Sequence, residues 1–434
     1  MGINYGSLQS TFYRDFVKKQ EINPSDGAIG GPCNYARNCV STYLGSDGYL
    51  KTASANIPRF GYEYNSSNDL VYRGLLVELD CGNNMLLYSE DYSQTNWSKN
   101  NCSVNSTSVY SPDGTNYTQK VSLSSAAGGI SQSITSSYNR SSPFVRIYHV
   151  SIFAKASECN YLNISIDNGT DTVNCYFDVN AGSTGTNSGA QNNLKYLYKY
   201  VKNMGNGWYR CFIGFQDDCQ TTKTYTVKFT PTTSSSSLTM SNSGDSIYLW
   251  GAMNYWEQYK SPVYHDVPKS YRKTTNAIAT DAQETFNVNS NFTGRYNSDY
   301  VSAYAEFTVP YHFTTSFVSQ AYLRFNMENG NHLYFRQLSN GNVNVLYNRS
   351  GARYDFFGAT VLENNNKGII TYGRNMQAKA SFNGSDVGYS SEASSRDFTG
   401  PLNLNFSAGD TYYKKLFLVP TVLTDRHMKA LTAL

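Results

Sequence analysis

The chain has 434 residues, room for two to three domains of ordinary size, and its formal net charge of +3 arises from 35 Lys+Arg against 32 Asp+Glu. That balance leaves no basic excess for a general phosphate-binding surface, which disfavours bulk nucleic-acid binding. Hydrophobic residues at 40% exclude a wholly disordered chain, and no apolar run reaches the ~20 residues that cross a bilayer.

The aromatic share is the sharper signal: 38 Tyr, 22 Phe and 4 Trp, with the polarity carried by Asn, Ser, Thr and Gly more than by charge. Tyr and Thr suit pleated, half-buried surfaces, while Asn, Ser and Gly favour turns. An all-β fold with many loops is predicted, which the strand spacing along the chain divides into two β-sandwich domains (jelly-roll/lectin-like in the resemblance given below) preceded by a short N-terminal attachment segment.

In chain order, residues 1–32 form an arm. Met1 to Gln20 lacks a basic stretch leading into an apolar one, so no Sec-type signal is expected. Leu8, Phe12, Tyr13 and Phe16 lie near helical spacing, which predicts one short amphipathic helix within Tyr5 to Gln20. The arm cannot form a core alone, so it is expected to dock on a partner or on the next domain. Residues 33–84 read as a lead-in of short strands, with a turn at Gly45-Ser46-Asp47-Gly48 and a buried strand at Arg73 to Glu78. Residues 85–265 alternate strands with Ser/Asn/Gly turns, which predicts a sandwich or jelly roll. Residues 266–434 predict a second sandwich, with hairpin turns at Asn329-Gly330, Asn340-Gly341 and Asn383-Gly384. The chain closes on a short helix from Asp425 to Leu431, N-capped by Thr424.

Eight cysteines stand at 33, 39, 81, 102, 159, 175, 211 and 219, none in CxxC spacing. Free, mostly buried thiols are the expectation, with a few bridges closed after release as the alternative. Trp97, Trp208 and Trp250 sit inside strand runs and are expected in the core. Trp256, beside Tyr255 and Tyr259, is the candidate for an exposed sugar-stacking site; the three form the predicted carbohydrate-binding set. Asp167-Asn168-Gly169-Thr170-Asp171 carries oxygen ligands in a tight turn, so Asp167, Asn168 and Asp171 are a weak calcium candidate; a solvated loop is the favoured reading. No other cofactor is expected. His149, His265, His312, His332 and His427 occur singly, and no HExxH or Gly-x-Ser-x-Gly is present, so no catalytic residue is predicted.

Seven segments recur in order: Lys51 to Phe60 (KTASANIPRF), Arg73 to Glu78 (RGLLVE), Asn84 to Asp91 (NMLLYSED, completed by Trp97), Pro112 to Thr115, Ser151 to Ala156, Asn206 to Arg210 and Tyr248 to Ala252. This set, covering roughly residues 50–265, resembles a module of tailed-bacteriophage virion proteins of fibre or decoration type. More diffuse matches follow at Ala303 to Phe307 and Ala378 to Gly384. The chain departs from the module at Asp80-Cys81-Gly82-Asn83, where an Arg-Thr pair is usual, and at Met253 to Glu257, where small and acidic residues are common. The resemblance implies a carbohydrate-binding-module-like jelly roll followed by a concanavalin A-like (laminin G-like) sandwich. It further implies a virion location after synthesis in the bacterial cytoplasm, and contacts with other virion proteins: portal, capsid or tail components. A homo-oligomer, with a trimer favoured, would display the sandwiches to a host-surface glycan. The rival readings are a polysaccharide-degrading tailspike-type hydrolase and a purely structural adaptor or cement protein. Nucleic-acid binding and membrane insertion are not expected.

Overall fold

The described strands sort into two antiparallel sandwiches and one small hairpin. A computed structural model describes residues 12–15, 33–78, 81–115, 118–136, 146–189, 193–217, 222–258, 269–280, 282, 284–288, 300–309, 321–326, 332–337, 342–349, 352–362, 365–373, 377–393, 403–405, 411–419 and 421–434. Among them the only helix is Asp425–Thr432; Thr424 caps it by accepting from the His427 N–H at 3.3 Å. None of the described helical residues forms a span long and apolar enough to cross a membrane. The all-β fold is as predicted.

The jelly roll pairs two six-stranded sheets. One runs Ser183–Ser188, Thr172–Asp178, Tyr161–Asp167, Lys223–Thr232, Gly129–Ser136, Ser98–Asn100. The other runs Leu194–Gly205, Trp208–Asp217, Arg146–Ala156, Ser246–Gln258, Thr118–Leu123, Cys102–Thr107. Neighbours in space are often distant in sequence, as expected of crossover connections. Alternate residues point inward: Leu162, Ile164 and Ile166 from one sheet meet Tyr148, Val150 and Ile152 from the other, all fully buried. Trp97 closes this core, its Nε1 donating to the Leu87 carbonyl at 3.0 Å.

The second sandwich is less local. Its larger sheet runs Gly388–Ala393, Gln377–Phe382, Asn366–Gly373, Tyr300–Thr308, Thr411–Val419, Leu70–Val77, Arg59–Tyr64. The facing sheet runs Cys33–Arg37, Glu284–Val288, Asn403–Asn405, Ala321–Asn326, His332–Gln337, Asn342–Arg349, Ala352–Thr360. Strands from 33–84 are therefore built into this sandwich, and the jelly roll is inserted between its parts. Leu75 and Val77 bury in the same core as Val301, Phe307 and Leu416. The predicted Asn-Gly turn is realised at Asn383 and Gly384, with φ of +48° and +75°; the turns holding Asn329-Gly330 and Asn340-Gly341 lie outside the described residues.

Two expectations are corrected here. Phe12–Asp15 is a strand, not part of a helix. It pairs antiparallel with Thr411–Val419, Phe12 opposite Leu418 and Asp15 opposite Lys415. The strand Leu70–Val77 covers that edge only from Thr411 to Tyr413. It leaves at Gly74, whose φ is +113° and where a Cβ would lie 2.2 Å from the Tyr413 carbonyl oxygen. The freed backbone edge of residues 415–418 needs hydrogen-bond partners, and the aromatic segment supplies them in extended form. The rest of the arm lies outside the described residues. Second, Cys39 and Cys81 are bonded, with Cα atoms 6.5 Å apart, rather than free. The two lie 42 residues apart, so sequence gave no hint of their meeting. Cys102, Cys159, Cys175 and Cys211 are free thiols.

Candidate functional site

The two sandwiches meet over a buried ionic cluster. Arg59, wholly buried, donates Nη1 to Glu78 at 2.6 Å and Nη2 to Glu284 at 2.5 Å. Its Nη1 also reaches the hydroxyls of Ser41 and Ser270, and the Ser270 N–H donates to Glu78 at 2.7 Å. The Tyr35 hydroxyl donates to Glu284 at 2.9 Å and accepts from Arg37 Nε. Burial alone would push both carboxyls up. For Glu78 it is outweighed by Arg59 and Lys269, which hold it below the ordinary range. Glu284 has less compensation and is pushed up to about 7, burial being the main cause, with Glu78 repelling its charge and Arg59 opposing both. Arg59 belongs to the PRF segment and Glu78 closes the RGLLVE segment, so those segments carry the joint between sandwiches. Arg210 of the jelly roll completes it, donating to the Lys269 carbonyl at 3.0 Å and to the Ser151 hydroxyl at 3.0 Å.

On the outer side of this joint two hairpins face each other. The first is Ser41–Leu44 paired with Leu50–Ala53 around Gly45-Ser46-Asp47-Gly48. Leu44 and Leu50 turn inward onto Trp208, Trp250 and Tyr271. Tyr43 and Lys51, opposite each other in register, turn the other way. Lys51 Nζ pairs with Asp47 Oδ2 at 2.5 Å, and the Tyr49 N–H donates to Asp47 Oδ1. The lysine hydrogen bond, foremost, holds the Asp47 carboxyl below its ordinary range against a small burial effect. The second hairpin pairs Arg59–Tyr64 with Leu70–Val77. Arg59, Gly61 and Glu63 are buried, so Phe60 and Tyr62 lie on the opposite face, half-buried. Tyr62 stands opposite Tyr72, ring centroids 5.1 Å apart, edge to face at 62°.

Between the hairpins lies an open cleft of about 610 Å³, within the ordinary range of ligand sites. Four rings line it, from Tyr43, Phe60, Tyr62 and Tyr72. Asp47, Lys51, Ser46 and Thr52 supply polar groups. Such a surface offers apolar ring faces to a ligand's C–H faces and fixed hydrogen-bonding groups to its hydroxyls.

The residues singled out from sequence are placed elsewhere. Tyr255 is buried and stacks on His149, centroids 4.3 Å apart at 12°, so it offers no ring to a ligand; its predicted exposure is corrected. The cause is its position on the outer face of a central strand, in one buried cluster with Leu44 and Leu50 of the first hairpin and with Tyr271. Trp256 is half-buried against the jelly-roll core, beside the strand position of Tyr148. Tyr259 lies outside the described residues. Trp97, Trp208 and Trp250 are buried, as read from sequence. The oxygens of Asp167, Asn168 and Asp171 are engaged in turn hydrogen bonds. Asp167 accepts from the Gly169 N–H and the Thr172 hydroxyl, Asn168 from the Thr170 and Asp171 N–H groups, and Asp171 from the Asn193 N–H. Among the described residues no group of three or more His, Cys, Asp or Glu is placed to hold a metal ion. Sequence reasoning missed the cleft. The alternation Tyr62-Glu63-Tyr64 and the Gly45–Gly48 turn were visible, but not that the two hairpins face each other.

No family model matches the chain, and none of the curated proteins does. Among solved structures, the CBM40 of the Ruminococcus gnavus IT-sialidase, bound to alpha2,3 sialyllactose, is 17% identical, with a TM-score of 0.23; the match covers 31% of this chain and 83% of that one. The GH43 BlXynB protein from Bacillus licheniformis is 9% identical, with a TM-score of 0.23, over 88% of this chain and 74% of that one. At these scores neither likeness bears on what the chain does.

Proposed function

We propose that this is a non-enzymatic glycan-binding protein, whose cleft between the two hairpins holds a host-surface oligosaccharide. The observation that carries the reading is the convergence of Tyr43, Phe60, Tyr62 and Tyr72 on one open cleft rimmed by Asp47 and Lys51. The module resemblance supports the finer reading, a virion component of a tailed bacteriophage that contacts other virion proteins and displays the cleft outward as an oligomer, a trimer by analogy. Under that reading the Cys39–Cys81 bond would close after release from the reducing cytoplasm. The hydrolase alternative finds little in this cleft. Asp47 is the one carboxylate among its described lining residues and is held ionised by Lys51, whereas glycoside hydrolysis calls for a pair of carboxyls, one kept protonated.

The test is adhesion of the full chain to host-surface polysaccharide, with Tyr62→Ala and Tyr72→Ala. Each is expected to weaken binding about tenfold or more, as loss of a central aromatic anchor does. Stability should fall by only ~1 kcal/mol, the scale of one edge-to-face pair. Unchanged adhesion in both variants overturns the assignment.

A further inference from the structure

The first hairpin has a second side. Opposite the aromatic cleft, across Leu50 and Thr52, lies a smaller recess of about 240 Å³. It is roughly eight water volumes, below the size of drug-like pockets. Thr52 lines both spaces.

Three features mark the recess as built to receive something. Trp250 lines it, is 2% exposed, and its indole N–H has no hydrogen-bond partner among the described residues. Trp97 and Trp208, equally buried, both place their N–H on carbonyl oxygens. A buried, unpaired donor has lost its water and calls for an acceptor. Next, Glu90 and Asp113 bring carboxylates to the recess from different loops. Glu90 is held by Lys273 at 2.5 Å and by the Tyr271 hydroxyl at 3.0 Å. Asp113 Oδ1 accepts from the Thr115 N–H and from the Ser111 and Thr115 hydroxyls, which fixes the carboxylate, and Oδ2 has no hydrogen-bond partner among the described residues. Last, the charges balance: Arg272 and Lys273 offset Glu90 and Asp113, while Val40 and Leu50 add apolar wall. A net-neutral recess with both acceptors and a donor selects neither an anion nor a cation.

We propose that this recess is a second subsite, taking one neutral hexose unit whose hydroxyls donate to Asp113 and Glu90 and whose oxygen accepts from the Trp250 indole. The inference rests on the glycan-binding reading and deepens it. The shared wall at Thr52 places the two sites on one ligand path around the hairpin, with the rings holding the chain and the recess reading a single unit.

The experiment uses the full chain labelled with nitrogen-15 and follows its four indole N–H signals, Trp250→Phe identifying that of Trp250. The probes are the methyl glycosides of glucose, galactose, mannose and N-acetylglucosamine. One of them is expected to move the Trp250 signal saturably. Asp113→Asn, which keeps the Oδ1 acceptor of the turn, should weaken that effect about tenfold or more. Glu90→Gln is the second variant should the first disturb the fold, which the other indole signals would report. A Trp250 signal unmoved by all four probes, or moved with equal affinity in the carboxamide variants, overturns the subsite. If it is unmoved while Tyr62→Ala still abolishes polysaccharide adhesion, the subsite alone fails. If it responds while Tyr62→Ala leaves adhesion intact, the aromatic cleft fails and the subsite stands.

Discussion

Replacing Glu284 by Gln should flatten the stability of the protein against pH. Glu284 is buried between Arg59 and Tyr35, and its carboxyl, ordinarily titrating at 4.5, is pushed up to about 7. Between those values the native state holds a proton that the unfolded chain has released. Unfolding free energy therefore falls as pH rises through this window. The contribution is complete below about 4.5 and lost above about 7, and its full extent is about 3 kcal/mol. Glu78 behaves oppositely: held below its ordinary value, it contributes above about 4.5 and its contribution is lost on acidification. Glu284→Gln removes only the first effect. One acceptor bond to the cluster changes as well, but that offset does not vary with pH. Urea unfolding followed by far-UV circular dichroism, at steps from about pH 4.5 to about pH 8, measures both proteins with a check that m is constant. The difference between them should shift by about 3 kcal/mol in favour of the variant across that range. Parallel profiles, agreeing within ~0.5 kcal/mol, would refute the assignment of Glu284 as the group that takes the proton.

Trp208→Ala should cost ~3–5 kcal/mol in thermal unfolding, because the ring is 1% exposed, packs with Leu44 and Trp250, and anchors the Tyr110 carbonyl at 2.9 Å. Replacing Cys39 and Cys81 by Ser should cost ~4 kcal/mol on the chain-entropy account for their separation of 42 residues. A change below ~1 kcal/mol in denaturant unfolding would show that the bond constrains little.

Much of the fold was legible. Alternation in Lys223–Thr232 showed that Tyr225, Val227 and Phe229 turn inward, because strand geometry sends successive residues to opposite faces. In Arg59–Tyr64 the same alternation misled, since Arg59 and Glu63 bury and Phe60 and Tyr62 line the cleft. Trp97, Trp208 and Trp250 could be placed in the core from their strand context, and Thr424 could be named as a cap from its place before a short helix. Local spacing misled at Phe12–Asp15, where aromatic residues at helical intervals became a strand because a backbone edge was waiting for partners. It misled again at Tyr255, since exposure of a strand residue depends on what covers the sheet, and His149 and Tyr271 come from elsewhere in the chain.

Local pattern was enough for the class of fold, most turns and many inward faces, since each depends on neighbours a few residues apart. Strand pairing lay beyond it. Cys33–Arg37 joins Glu284–Val288, and Leu70–Val77 joins Thr411–Val419, across hundreds of intervening residues. No local period encodes such a pairing, because its free energy is gained only when distant backbone and side chains close together and offset the entropy of the loop between them. The Arg59 cluster, the Cys39–Cys81 bond, the aromatic cleft and the Trp250 recess all follow from those closures.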